Sequence, residues 1–210
     1  MKDTRDTSGL ELAGKQLCLD FANTVAWRRS DSPQEELSGY PDLVTWCQHA
    51  DVIPAQEARY LLKQAARRPD AARAALERAL VLREAIYRIM DAVTRDSTPE
   101  ASDVATLNEF LSEAMSHLQL ILTADGLGWT WVGAESSLQR VLWPVAHSAA
   151  ELLLADELSR VGVCADEGCG WLFVDRSKNQ SRRWCSMEDC GNRAKARRHY
   201  RRSCGLEPDC

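Results

Sequence analysis

Four of the chain's eight cysteines fall in two equally spaced pairs, Cys164/Cys169 and Cys185/Cys190, with four residues inside each pair and fifteen between the pairs. Two thiol pairs, each held in a tight turn and brought together by a short returning segment, meet the requirement of a closed tetrahedral zinc site. Four thiolates complete the shell of one Zn²⁺ and leave no open position for water, so the ion is expected to be structural and not catalytic. Disulfides are the competing chemistry for such a set. Gly168, Gly170 and Gly191 flank three of the cysteines, and positive φ at these glycines is expected to aim backbone N–H groups at the sulfurs.

The elements that must hold these ligands are legible around them. Trp171 to Val174 is aromatic and branched and predicts a strand, with Arg160 to Val163 as a second strand leading into the first cysteine turn. Ser177 to Ser181 is turn-like, and Arg182-Arg183-Trp184 returns the chain to the second pair. Ser186-Met187-Glu188-Asp189 follows the capping-box pattern with Asp in the last place, so a helix starts there. Cys185 and Cys190 are about 140° apart on a regular helix, which puts Cys185 before the helix and Cys190 in its first turn. Knuckle, hairpin and a helix that carries a ligand describe a treble clef. Trp171 and Trp184 flank the cysteines. Packing beneath the metal is the favoured role for both, with stacking on bases as the alternative.

The helix after Cys190 is strongly basic. Arg193, Arg197 and Arg201 form one stripe at i, i+4, i+8, and Lys195, Arg198 and Arg202 form a second. With Arg182 and Arg183, these are the candidate nucleic-acid contacts, since a rigid basic helix can enter a major groove or grip phosphates. A solvated basic tail is the plainer alternative. Arg193, next to Cys190, is also a candidate partner for the thiolates or for a nearby acid.

The run from Cys169 through Asn179, then Arg182 to Met187, then Cys190-Gly191-Asn192-Arg193 with Lys195, Arg197 and Arg198 behind it, resembles the CGNR zinc finger. Lys178 stands where that pattern has Arg, which keeps the charge. Leu17 to Thr24 resembles the opening motif of the ABATE domain, and Leu82-Arg83-Glu84-Ala85 resembles its central helix. The resemblance implies a bacterial protein of a stress-induced transcription regulator family, with the zinc finger following a larger N-terminal domain.

The whole chain has 210 residues, enough for one medium domain and a small one. Its hydrophobic content of 45% and charged content of 27% are those of a globular protein. No apolar run is long enough to span a membrane, and Met1 to Gly9 lacks the apolar core of a signal peptide, so a cytoplasmic location is expected. Reduced thiols there favour metal over disulfide. Residues 1–160 hold 16 Lys and Arg against 24 Asp and Glu, whereas residues 171–202 hold 10 against 3. Allowing for the thiolates, an acidic body with a basic terminal module suits a nucleic-acid contact confined to one end.

The expected fold class is α+β: a mostly helical domain with a small β-sheet over residues 1–157, then the treble-clef-like zinc finger over residues 158–210. Leu17 to Phe21 is read as a buried strand and Arg28 to Gly39 as a loop. Helices are expected from Pro41, from Pro54 to about Arg67, from Asp70 to about Thr94, from Pro99 to about Ser116, and from Ala134 to about Ala155 with an interruption at Pro144. Arg73–Glu77 and Glu84–Arg88 are expected as surface pairs. Val104, Leu107, Leu111 and Met115 are the expected inner face of the fourth helix. Leu118 to Leu122 and Trp129 to Val132, around Asp125-Gly126, predict a β-hairpin. Cys18 and Cys47 have no partner at metal spacing and are read as core thiols; Cys204 and Cys210 are expected to stay outside the zinc set.

Asp20, Asn23 and Arg83 are the candidate ligand pocket of the N-terminal domain. The competing reading is that Asp20 and Asn23 satisfy local backbone and that Arg83 pairs with a structural acid such as Asp20. His49, His117, His147 and His199 are scattered, and no phosphate loop or nucleophile motif occurs, so an enzyme is not expected. The reading is a transcription regulator that binds DNA through one structural zinc module, with a small-molecule effector sensed by the N-terminal domain. A homodimer would suit two half-sites, but no dimer signature is read from the sequence. The alternative is a protein- or RNA-interaction module.

Overall fold

The computed structural model describes residues 16–124 and 126–203. Asp125, Cys204 and Cys210 therefore lie outside the described residues. The N-terminal body is built from α1 (Leu17–Ala22), α2 (Tyr40–His49), α3 (Ala55–Arg67), α4 (Pro69–Thr94), α5 (Ala101–Ser116) and α6 (Trp143–Leu154). Strands β1 (Val25–Ala26) and β2 (Gln34–Glu35), then β3 (Leu118–Thr123) and β4 (Gly126–Trp131), then β5 (Val161–Val163) and β6 (Leu172–Val174), pair antiparallel in turn. The last helix is α7 (Asn192–Ser203). The fold is α+β and mainly helical, with its strands distributed among three two-stranded ribbons and not gathered in one sheet.

Helix α4 is the spine. Ala72, Ala75, Ala79, Leu82, Ile86 and Ile89 are buried at alternating steps of three and four, the spacing of one helical face. Helices α1, α2, α3 and α5 all pack against α4. A proline at the first position of α4 and an extended-region φ of −136° at Arg68 separate α3 from α4.

Leu17–Ala22 is a helix, where the sequence reading expects a strand. Cys18, Leu19, Asp20, Phe21 and Ala22 are all buried, because α1 runs between α4 and α6. A segment covered on every side has no polar face to reveal its period. Phe21 meets Trp46 of α2 with ring centroids 5.1 Å apart. Burying each such side chain is worth about 1.5–3 kcal/mol before entropy is counted. Cys18 and Cys47 lie in this core, and burial pushes the Cys18 thiol up to about 12 and the Cys47 thiol higher still.

Other expectations are corrected in detail. Part of the 28–39 loop is strand β2, paired with Val25 and Ala26. The buried face of α5 is Asp103, Leu107, Phe110 and Ala114, with Val104 and Met115 exposed. Arg88 pairs with Asp103 of α5 at 2.5 Å and not with Glu84, and Arg73 pairs with Asp70 and not with Glu77. After β4 the chain makes a 3₁₀ turn, Arg140–Leu142, and Pro144 lies in the first turn of α6 instead of interrupting it. There its missing N–H costs nothing. Among the described residues no helix is long and apolar enough to cross a membrane.

The residues that follow the helical body share its core. Val161, Leu172 and Val174 of the β5–β6 ribbon belong to the same buried cluster as α1, α4 and α6. The loop after β1 also grips the cysteine turn, with Arg28 N–H donating to the Cys169 carbonyl at 3.0 Å and Arg29 N–H to the Gly168 carbonyl at 2.9 Å.

Candidate metal centre and basic helix

Cys164 follows β5 and Cys169 closes a tight turn, its N–H donating to the Asp166 carbonyl. Gly168 and Gly170 take φ of 83° and 73°, as the turn demands. Gly191 does not take positive φ; a Cβ there would lie 2.8 Å from Met187 Sδ, the end of a half-exposed side chain that can shift away. Cys185 precedes a wide turn, Met187–Gly191, that carries Cys190 and leads into α7. Ser186 caps this turn by accepting from Asp189 N–H at 3.2 Å.

The four cysteines are buried, unpaired by disulfide, and their sulfurs all lie within 4.8 Å of one another. Cys169 and Cys185 Sγ are 3.7 Å apart, and Cys185 and Cys190 Sγ are 3.5 Å apart. A tetrahedron with Zn–S bonds of about 2.3 Å has edges of about 3.8 Å, so the set fits one zinc ion held by Cys164, Cys169, Cys185 and Cys190. Hydrogen bonds from Cys169 and Cys185 hold Cys164 low as the thiolate. The same crowding raises Cys169 and Cys185 through Cys164, while burial raises Cys190. Four thiols this close deprotonate together only when a cation balances them, and a bound Zn²⁺ supplies that balance.

Around the sulfurs the packing is aromatic and cationic. Trp171 and Trp184 lie against the cysteine cluster, and Trp171 Nε1 donates to the Val25 carbonyl at 2.9 Å. Arg193 donates through Nη2 to Cys190 Sγ at 2.9 Å and through Nε to Asp166 Oδ2 at 3.0 Å, with its guanidinium over the Trp27 ring. Asp166, whose side chain is fully buried, also pairs with Arg197. Arg201 reaches Glu167 at 3.3 Å. The first arginine stripe therefore faces the acidic turn inside the first cysteine pair. Nothing in the helix spacing could reveal this, because the acids lie about thirty positions earlier.

The second stripe is turned about 130° from the first around α7. Lys195, Arg198 and Arg202 are exposed there, as is Arg183, whose guanidinium stands 5.5 Å from the Trp184 ring. Arg182 is turned inward. It donates to the carbonyls of Trp184, Val174 and Cys185 and covers the Phe173 ring. A cavity of about 160 Å³ opens beside the metal set, lined by Ala26, Trp27, Trp171 and Arg193 together with Cys169, Cys185 and Cys190.

The three pocket candidates are each engaged elsewhere. Asn23 donates to the Leu172 carbonyl at 2.9 Å and accepts from Leu172 N–H at 2.8 Å. Arg83 is clamped by Glu35 at 2.6 and 2.7 Å and by Glu84 at 3.0 Å, so its acid is Glu35 where the sequence reading names Asp20. Asp20 is buried in α1. Glu84 also pairs with Arg28, the residue whose backbone holds Cys169. Sequence reasoning missed this chain of contacts from α4 through Arg28 to the metal turn.

Comparison with known proteins agrees with this geometry. A family model described as "Putative stress-induced transcription regulator" (ABATE) matches residues 15–156, and one described as "CGNR zinc finger" matches residues 160–203. The chain belongs to the ABATE family and carries a CGNR zinc finger. Neither is a family of enzymes. A search of curated proteins finds no match.

Proposed function

We propose that the protein is a cytoplasmic DNA-binding transcription regulator whose contact surface is the outward stripe of α7, Lys195, Arg198 and Arg202, extended by Arg183. The division of α7 carries this reading. Arg193, Arg197 and Arg201 are turned to Asp166, Glu167 and Cys190, while Lys195 and Arg198 stand exposed on the adjoining face. One basic face holds the helix to the metal turn, and the other is displayed at a fixed angle, the arrangement a groove-reading helix needs. Arg193, Arg197 and Arg201 thus position the helix, and Arg182 shapes the return loop. Selection from a random duplex pool by the zinc-loaded chain tests the reading. Enrichment of a common sequence supports it. Preferential capture of structured RNA, or of neither, contradicts it and favours an interaction module.

The effector in this reading occupies the cavity between Trp27 and Trp171, not the engaged Asp20, Asn23 and Arg83. Its rim mixes the Trp27 and Trp171 rings with Arg193, Ser186 and Asp189, so a small aromatic molecule carrying a polar group is the expected class. It would touch both the body's loop and the metal turn. Melting in the presence of a panel of small aromatic compounds checks this; no stabilisation by any of them contradicts it.

A further inference from the structure

The β3–β4 hairpin leaves large apolar side chains in water. Leu120 is 58%, Leu122 83%, Leu127 75% and Trp129 62% exposed. The register sets Leu120 opposite Trp129 and Leu122 opposite Leu127, so the four share one face. That face begins at Trp131, which packs against Trp143 and His147 of α6 with ring centroids 6.1 and 5.9 Å away. His117 stacks on Trp143 at 4.1 Å and its Nδ1 lies 2.9 Å from the Val132 carbonyl, which fixes the base of the hairpin. The apolar face then continues beyond this anchored base with nothing described covering it.

The geometry points to a second copy of this chain as the occupant, in a two-fold contact that buries Leu120, Leu122, Leu127 and Trp129 against their counterparts. An isolated hairpin is marginal in water and is stabilised when its apolar face is covered. The four side chains expose on the order of 600 Å², the scale of a functional patch and close to the ~800 Å² per partner of a stable interface. Neither strand contains a charged residue or a proline, the devices that keep exposed sheet edges apart. A two-fold contact brings like side chains together, so a charge-free face suits a copy of itself. A lipid surface would call for flanking cations, whereas residues 1–160 carry a net charge of −8. Such a dimer presents two zinc modules related by symmetry, and the inference stands whether or not those modules bind DNA.

Sedimentation equilibrium of the zinc-loaded full chain, over a wide concentration range, provides the test. The wild type is expected to be dimeric at micromolar concentration. Leu122→Lys and Trp129→Lys each act twice across the axis and are expected to weaken the dimer at least about 100-fold. Leu122→Ser, a milder change at an exposed position, is expected to weaken it in the same direction, with helix signal and zinc content unchanged in all three. A monomeric wild type overturns the inference, as does a dimer that all three variants leave intact. Pelleting of the wild type with anionic vesicles, in place of dimerisation, also overturns it and assigns the face to lipid.

Discussion

The side-chain amide of Asn23 pairs with the backbone of Leu172 as a neighbouring strand would, donating to its carbonyl at 2.9 Å and accepting from its N–H at 2.8 Å. The two residues are 149 positions apart, so this pair joins the end of α1 to the ribbon that carries the first metal turn. Asn23→Ala would leave both Leu172 backbone groups buried without partners. It is expected to lower the unfolding free energy by about 2–4 kcal/mol. Urea denaturation checks this, and unchanged stability would restore Asn23 to a ligand-binding role.

Arg83 tests the same question from α4. Arg83→Met removes the partner of Glu35 and one partner of Glu84. The expected loss is about 3 kcal/mol, at the low end for breaking a buried pair because Glu35 keeps some contact with water. A melting temperature unchanged from wild type would contradict the clamp.

Acid should act on this cluster too. Burial raises Glu35 and Glu84, but the hydrogen bonds from Arg83 and Arg28 more than offset it and leave both below the usual carboxylate range. Folded values below the unfolded ones mean the contribution is present above about pH 4.3 and is lost as pH falls through the folded values. In Arg83→Met the acid-side fall in stability should be shallower, measurable by denaturation at a series of pH values.

Metal removal should be felt beyond the finger. Structural zinc sites are worth about 10–16 kcal/mol, comparable to the whole stability of a domain of this size. Chelation or Cys185→Ser should release one zinc per chain, and because the β5–β6 ribbon lies in the main core and the Trp27–Arg29 loop bonds the cysteine turn, the loss should reach the body. The melting of the helical body should also fall. A body that melts unchanged without zinc would show the finger to be energetically separate.

The metal ligands were legible because cysteine chemistry depends on type and spacing, both one-dimensional. The β3–β4 hairpin was legible for the same reason, from two alternating runs around a glycine turn. Leu17–Ala22 was not: five buried residues in a row read equally well as strand or helix until α4 and α6 are known to enclose them. The stripes of α7 were visible, yet which stripe faces the protein depended on Asp166 and Glu167, whose nearness is a product of the metal fold. The Asn23–Leu172 pair and the role of Glu35 likewise exist only once the chain has closed.

The salt dependence of duplex binding tests the central claim most directly. If Arg183, Lys195, Arg198 and Arg202 each neutralise about one phosphate, log affinity should fall with log salt at a slope of about −3 to −4. Lys195→Gln with Arg198→Gln should shrink that slope by about two, leaving zinc content and melting unchanged. Arg197→Gln with Arg201→Gln should leave the slope in place while weakening zinc retention, because Asp166 loses its Arg197 pair. The reverse outcome, a slope that shrinks with the inner pair and is untouched by the outer one, would contradict the account.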